Sequence, residues 1–98
     1  MRKKDRTKES VIRQHRITNE GAEYNYTLIM KESDNVTSYR MPLYSIKIEM
    51  TDPDGAQTEA KVSDIFADVG KALVFYERMV SNLATPIDLP YILEDEIS

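Results

Sequence analysis

Apolar and polar residues alternate along the first two thirds of the chain and then shift to a helical rhythm, which predicts a sheet followed by helices. The clearest run is Tyr24-Asn25-Tyr26-Thr27-Leu28-Ile29-Met30-Lys31, where Tyr24, Tyr26, Leu28 and Met30 share one face at period two. A second is Tyr44, Ile46, Ile48 and Met50 set against Ser45, Lys47 and Glu49, one face buried and the other wet. Pro42 lacks an N–H and belongs at the beginning of that strand or on an outer edge. Ahead of both, Val11, Arg13, His15 and Ile17 against Ile12, Gln14 and Arg16 are compatible with a strand of imperfect alternation. Asn19-Glu20-Gly21 supplies a turn, with Gly21 suited to a positive φ. Ser33 to Ser38 is polar and reads as a loop. Thr51-Asp52-Pro53-Asp54-Gly55 is a tight turn, after which Ala56 to Ser63 returns as a fourth strand. The small residues on its less polar face, Ala56, Thr58, Ala60 and Val62, leave room for a helix to approach.

The rhythm changes at Asp68, which is placed to cap a helix. Val69, Leu73, Tyr76, Val80 and Leu83 then recur at spacings of four, three, four and three, and Ala72, Phe75 and Met79 widen the apolar surface as a helix lying on a sheet requires. In the tail, Pro86 and Pro90 suit only a first turn, so a short helix begins near Asp88 and docks Leu89, Ile92, Leu93 and Ile97 on the core. The pattern therefore predicts an α+β domain. Its antiparallel sheet has three to four strands in meander order, packed by one long helix over about 68–84 and followed by a short C-terminal helix.

The passage from Val62-Ser63-Asp64-Ile65 through the long helix to Thr85-Pro86-Ile87-Asp88-Leu89 and Leu93-Glu94-Asp95 resembles a family of small bacterial proteins, domain of unknown function 6514. The resemblance spans roughly residues 10–97. It implies a hairpin-rich first half, a strand-to-helix passage and a Ser/Thr-Pro-Ile step into a last acidic helix. The family has no assigned activity, so the resemblance implies a fold and transfers no site residues.

Charge changes the picture at one end. Residues 1–16 hold seven of the thirteen Lys and Arg and only two acids, while the remainder carries six basic and fifteen acidic groups. Residues 1–8, with Arg2, Lys3, Lys4, Arg6 and Lys8, contain too little apolar surface to bury and read as a disordered basic arm. Residues 9–98 form the single small domain. The acidic body, at a net charge of −4 for the whole chain, disfavours phosphate and favours solubility. Cysteine is absent, which excludes disulfides and thiolate metal sites, and a single His leaves little for zinc. The basic start is not followed by an apolar stretch, and no run of about 18 apolar residues occurs to span a bilayer. The chain reads as a soluble, cytoplasmic protein of bacterial type with no membrane role.

Candidate chemistry is sparse. His15 is the side chain whose unperturbed pKa lies nearest neutrality, but it lies between Arg13 and Arg16 with no acid within four residues to orient it, and it reads as a strand-surface residue. Asp52, Asp54 and Gly55 resemble part of a calcium loop, yet the other ligands are missing and Pro53 fits a hairpin turn. Glu94, Asp95 and Glu96 gather at a helix C-terminus and read as a solvated end. Tyr24, Tyr26, Tyr39 and Tyr44 are of the type that stacks bases, but their company of Leu28 and Met30 indicates a core. No phosphate-cradling loop or nucleophile motif surrounds Gly21, Gly55 or Gly70. The expectation is a non-enzymatic domain with no catalytic, cofactor or metal residues. It would hold a protein partner or a second copy through the uncovered sheet face, a sheet edge or the acidic last helix. The alternatives are a nucleic-acid-binding accessory protein that uses Arg2, Lys3, Lys4, Arg6 and Lys8, and an enzyme with an unrecognised site.

Overall fold

The computed structural model describes residues 7–33 and 42–97. Strands β1 (Thr7–Asn19), β2 (Ala22–Ser33), β3 (Leu43–Thr51) and β4 (Gln57–Phe66) pair antiparallel in sequence order, followed by helices α1 (Val69–Ser81) and α2 (Leu89–Ile97). This is the expected α+β meander, with four strands among the described residues. β1 begins two residues before Glu9, because β2 runs on to Ser33 and gives Thr7 and Lys8 the partners Ser33 and Glu32. Residues 1–6 of the basic arm, Tyr39 and nearly all of the expected 33–38 loop lie outside the described residues.

The imperfect alternation of β1 has a physical cause. The register steps from Val11 opposite Ile29 to Arg13 opposite Leu28, so Ile12 is the extra residue of a β-bulge. The bulge restores phase: His15 and Ile17 face the same side as their partners Tyr26 and Tyr24, and Ile12 still packs against the core. At the following turn both Glu20 (φ 51°) and Gly21 (φ 83°) are left-handed, the conformation a two-residue hairpin loop requires. The turn after β3 is closed by Asp52, whose Oδ1 accepts from the amides of Asp54 at 3.0 Å and Ala56 at 2.9 Å.

β4 extends to Phe66, beyond the expected Ser63, by means of a second irregularity. Val62 opposes Ile46 and Phe66 opposes Tyr44, which leaves three residues of β4 against Ser45 alone. Asp64 takes φ 58° there and donates its amide N–H to Ser45 Oγ at 2.9 Å.

Helix α1 starts where Asp68 Oδ1 accepts from the Gly70 amide at 3.0 Å. Its buried face is Ala72, Phe75, Tyr76 and Met79, displaced to one flank of the expected stripe, so that Val69 is left exposed. The displacement brings Phe75 against Phe66 of β4, ring centres 5.4 Å apart. The helix stops in a Schellman motif: Ala84 donates to the Met79 carbonyl at 3.1 Å and Leu83, at φ 52°, to that of Val80 at 3.2 Å. Thr85 and Asp88 then cap each other reciprocally, Thr85 Oγ1 accepting from the Asp88 amide and Asp88 Oδ2 from the Thr85 amide. That exchange explains the Thr-Pro-Ile-Asp step into α2. One core results, built from Tyr24, Tyr26, Leu28, Tyr44, Ile46 and Ile48 of the sheet with the buried face of α1 and Leu89 of α2. α1 packs on β2, β3 and β4 from one side only.

Candidate functional site

The side of the sheet away from α1 is ordered in rows by the strand register. Arg16, Asn25, Glu49 and Glu59 lie in one row across the four strands, and Gln14, Thr27, Lys47 and Lys61 in the next. Like charges therefore stand directly opposite each other twice, Glu49 against Glu59 and Lys47 against Lys61. Such pairs are unfavourable in an isolated sheet. Part of the row is knitted together: Gln14 Nε2 donates to Asn25 Oδ1 at 3.2 Å, and Asn25 Nδ2 to Glu49 Oε1 at 3.0 Å. Lys47 Nζ lies 3.6 Å from Glu49 Oε2. Thr27 and Ser45 are buried beneath these longer side chains. A groove of about 500 Å³ runs past the glutamate row, lined by Arg16, Glu23, Asn25, Glu49, Gln57 and Glu59 among others. The surface is thus largely polar; Val11 and Ile29 form its one directly paired apolar couple among the described residues.

A second cluster sits at the β4 irregularity. Lys31 Nζ donates to Asp64 Oδ2 at 2.8 Å while Ser45 holds the Asp64 amide, so a left-handed aspartate is fixed from two strands. The bond to Asp64 also raises the Lys31 pKa above its ordinary value. The arrangement positions backbone, and its carboxylate is already paired.

A third cluster lies on the helix side. Tyr76 of α1 is wholly buried, donates its hydroxyl proton to the Tyr26 carbonyl at 3.2 Å and meets His15 Nδ1 at 2.8 Å. Tyr26 in turn donates to the Ala84 carbonyl at 2.8 Å, which ties the α1–α2 connection to the sheet. Burial pushes both phenols up to about 12, aided at Tyr26 by the nearby Tyr24 and Asp88 and at Tyr76 by Glu77. These hydroxyls are structural ties, neutral at physiological pH.

The other sequence candidates fall as follows. His15 has an orienting partner after all, supplied by a residue 61 positions away. The signal was present in Tyr76, a tyrosine within the buried stripe whose hydroxyl needed a mate. Asp52 and Asp54 belong to the hairpin turn. Glu94 and Asp95 are exposed near the end of α2. Tyr24, Tyr26 and Tyr44 are core, with Tyr24 and Tyr26 stacked at 6.2 Å. Of the basic arm, Lys8 enters β1, while Arg2, Lys3, Lys4 and Arg6 lie outside the described residues. Among the described residues no helix is long and apolar enough to cross a membrane.

Fold and surface define a small α+β domain in which, among the described residues, the helices cover one side of a meander sheet and leave the other polar and accessible. A model of a family of unknown function, DUF6514, matches residues 8–98, and the chain belongs to that family. No curated protein and no solved structure matches it.

Proposed function

We propose that this chain is a non-catalytic, cytoplasmic protein–protein interaction domain that binds another polypeptide through the uncovered face of its sheet. The observation that carries the reading is the pair of like-charge couples, Glu49 with Glu59 and Lys47 with Lys61, on adjacent rows of that face. Each couple costs stability in the isolated chain and gains from a partner that presents the opposite sign. The polar clusters favour this reading over an enzyme. The Lys31, Asp64 and Ser45 groups are engaged with one another, and the Tyr76 hydroxyl is engaged with the Tyr26 carbonyl and His15.

The reading is tested by affinity capture from the cell of origin with the full chain, beside the same chain carrying Lys47→Glu and Lys61→Glu. Binding of a polypeptide by the first and its loss from the second is expected. A partner retained equally by both chains, or binding of no polypeptide at all, the chain itself included, refutes the assignment to this face.

A further inference from the structure

The arrangement of charge on the open face goes further than the need for a partner: the face contains its own complement. Resting on the interaction reading, we infer that the occupant is a second copy of this chain. It docks face to face about a two-fold axis that runs across the strands, between the lysine row and the glutamate row.

The geometry follows from the register. Successive same-face residues on a strand are two positions apart, so the rows lie about 6.8 Å from each other. A two-fold axis across the strands leaves each strand over its own counterpart and reverses its direction. Row order is thereby inverted in the second copy. Lys47 then faces Glu49 of the second copy and Glu49 faces its Lys47, while Lys61 and Glu59 exchange partners in the same way. Four opposite-charge contacts are thereby added, which offset the two like-charge couples that each chain carries. On the outer strand, Gln14 meets Arg16 of the second copy, an amide oxygen against a guanidinium.

The alternative two-fold axis fails on the same charges. An axis along the strands lays glutamate row on glutamate row and lysine row on lysine row, and repels. An isologous contact requires a self-complementary patch, and of these two axes the one across the strands makes this patch so. The net charge of −4 does not oppose it locally, because the two rows together carry Arg16, Lys47 and Lys61 against Glu49 and Glu59. Two twisted sheets stacked in near alignment, as in a β-sandwich, accommodate the contact. Since its contacts are between opposite charges, the dimer is salt-sensitive.

The test is a solution mass measured by analytical ultracentrifugation on the full chain, with circular dichroism to verify folding. At low salt the chain is expected to sediment at twice 11.3 kDa and to move toward the monomer as salt rises. Lys47→Glu with Lys61→Glu makes both rows acidic, and Glu49→Lys with Glu59→Lys makes both rows basic, so each variant alone is expected to be monomeric. Mixing the two places an acidic face on a basic one and restores the doubled mass, which a folding defect in either variant would not allow. A monomeric natural chain at low salt overturns the inference; if capture of another polypeptide still depends on Lys47 and Lys61, the interaction reading survives it. A dimer that persists in both variants, or a mixture that stays monomeric, also overturns the two-fold contact.

Discussion

The two faces of the sheet are built from the same four strands and differ in what fixes their residues. On the helix side, Tyr24, Tyr26, Leu28, Tyr44, Ile46 and Ile48 are held by burial against α1. On the other side, Asn25, Thr27, Lys47, Glu49, Glu59 and Lys61 occupy the intervening positions. Hydrophobic burial explains the first set almost completely, because replacing any member leaves a cavity or an unpaired polar group. It does not explain the second. Opposite signs meet along a strand, where Lys47 lies 3.6 Å from Glu49, but across strands the rows set like charges against each other, an arrangement that a lone wet face has no need of. The comparison teaches that stability and recognition are divided between the faces.

The sharpest way to break that division is a pair of neighbouring substitutions on β3. Ile48→Ala, at a fully buried position, is expected to cost about 2–5 kcal/mol in urea unfolding. A loss below about 1 kcal/mol would mean that the helix side is not close-packed. The next effect is alkaline. Unfolded phenols ionise near pH 10, whereas Tyr26 and Tyr76 hold their protons to about 12. Between those values the unfolded state binds fewer protons, so stability present below pH 10 is lost as pH rises toward 12. Unfolding curves from pH 9 to 12, with tyrosinate absorbance followed in parallel, should show the two phenols released together with the fold.

Smaller, at about 1–2 kcal/mol, is Tyr26→Phe, which leaves the buried Ala84 carbonyl without its donor and loosens the joint between α1 and α2. Chemical unfolding measures it, and hydrogen exchange at α2 should accelerate more than exchange in β2. Smallest is Lys47→Ala, one residue from Ile48 but on the other face. It is expected to change the monomer's stability by less than about 0.5 kcal/mol, since its 3.6 Å pair with Glu49 is solvent-accessible. A large loss there would move Lys47 from recognition into the fold.

Most of the architecture was legible because periodicity reports burial. Tyr24 through Met30 and Tyr44 through Met50 alternate cleanly and form β2 and β3, and Asp68 caps α1 as its position predicted. The departures sit where the chain leaves its period. The bulge at Ile12 broke the alternation of β1, and the left-handed Asp64 carried β4 past Ser63, a geometry local pattern does not encode because Ser45 and Lys31 supply the support from other strands. The buried face of α1 lay to one flank of the predicted stripe, since Phe66, distant in pattern if near in sequence, selects which apolar residues face down. The candidate surface was less legible than the fold. That one face stays uncovered follows from four strands and two helices; that its charges form rows depends on register.

By itself the sequence determined the strands, the capped helix, the one-sided core and the segregation of polar residues to the other face, all consequences of side-chain period along one element. Only the tertiary structure decided which residues stand across from one another. Register turned Lys47 with Lys61 and Glu49 with Glu59 into couples, and packing brought Tyr76 to His15 across 61 positions. Those are relations between elements, set by pairing and by the turn geometry that fixes it, and no single element's pattern contains them.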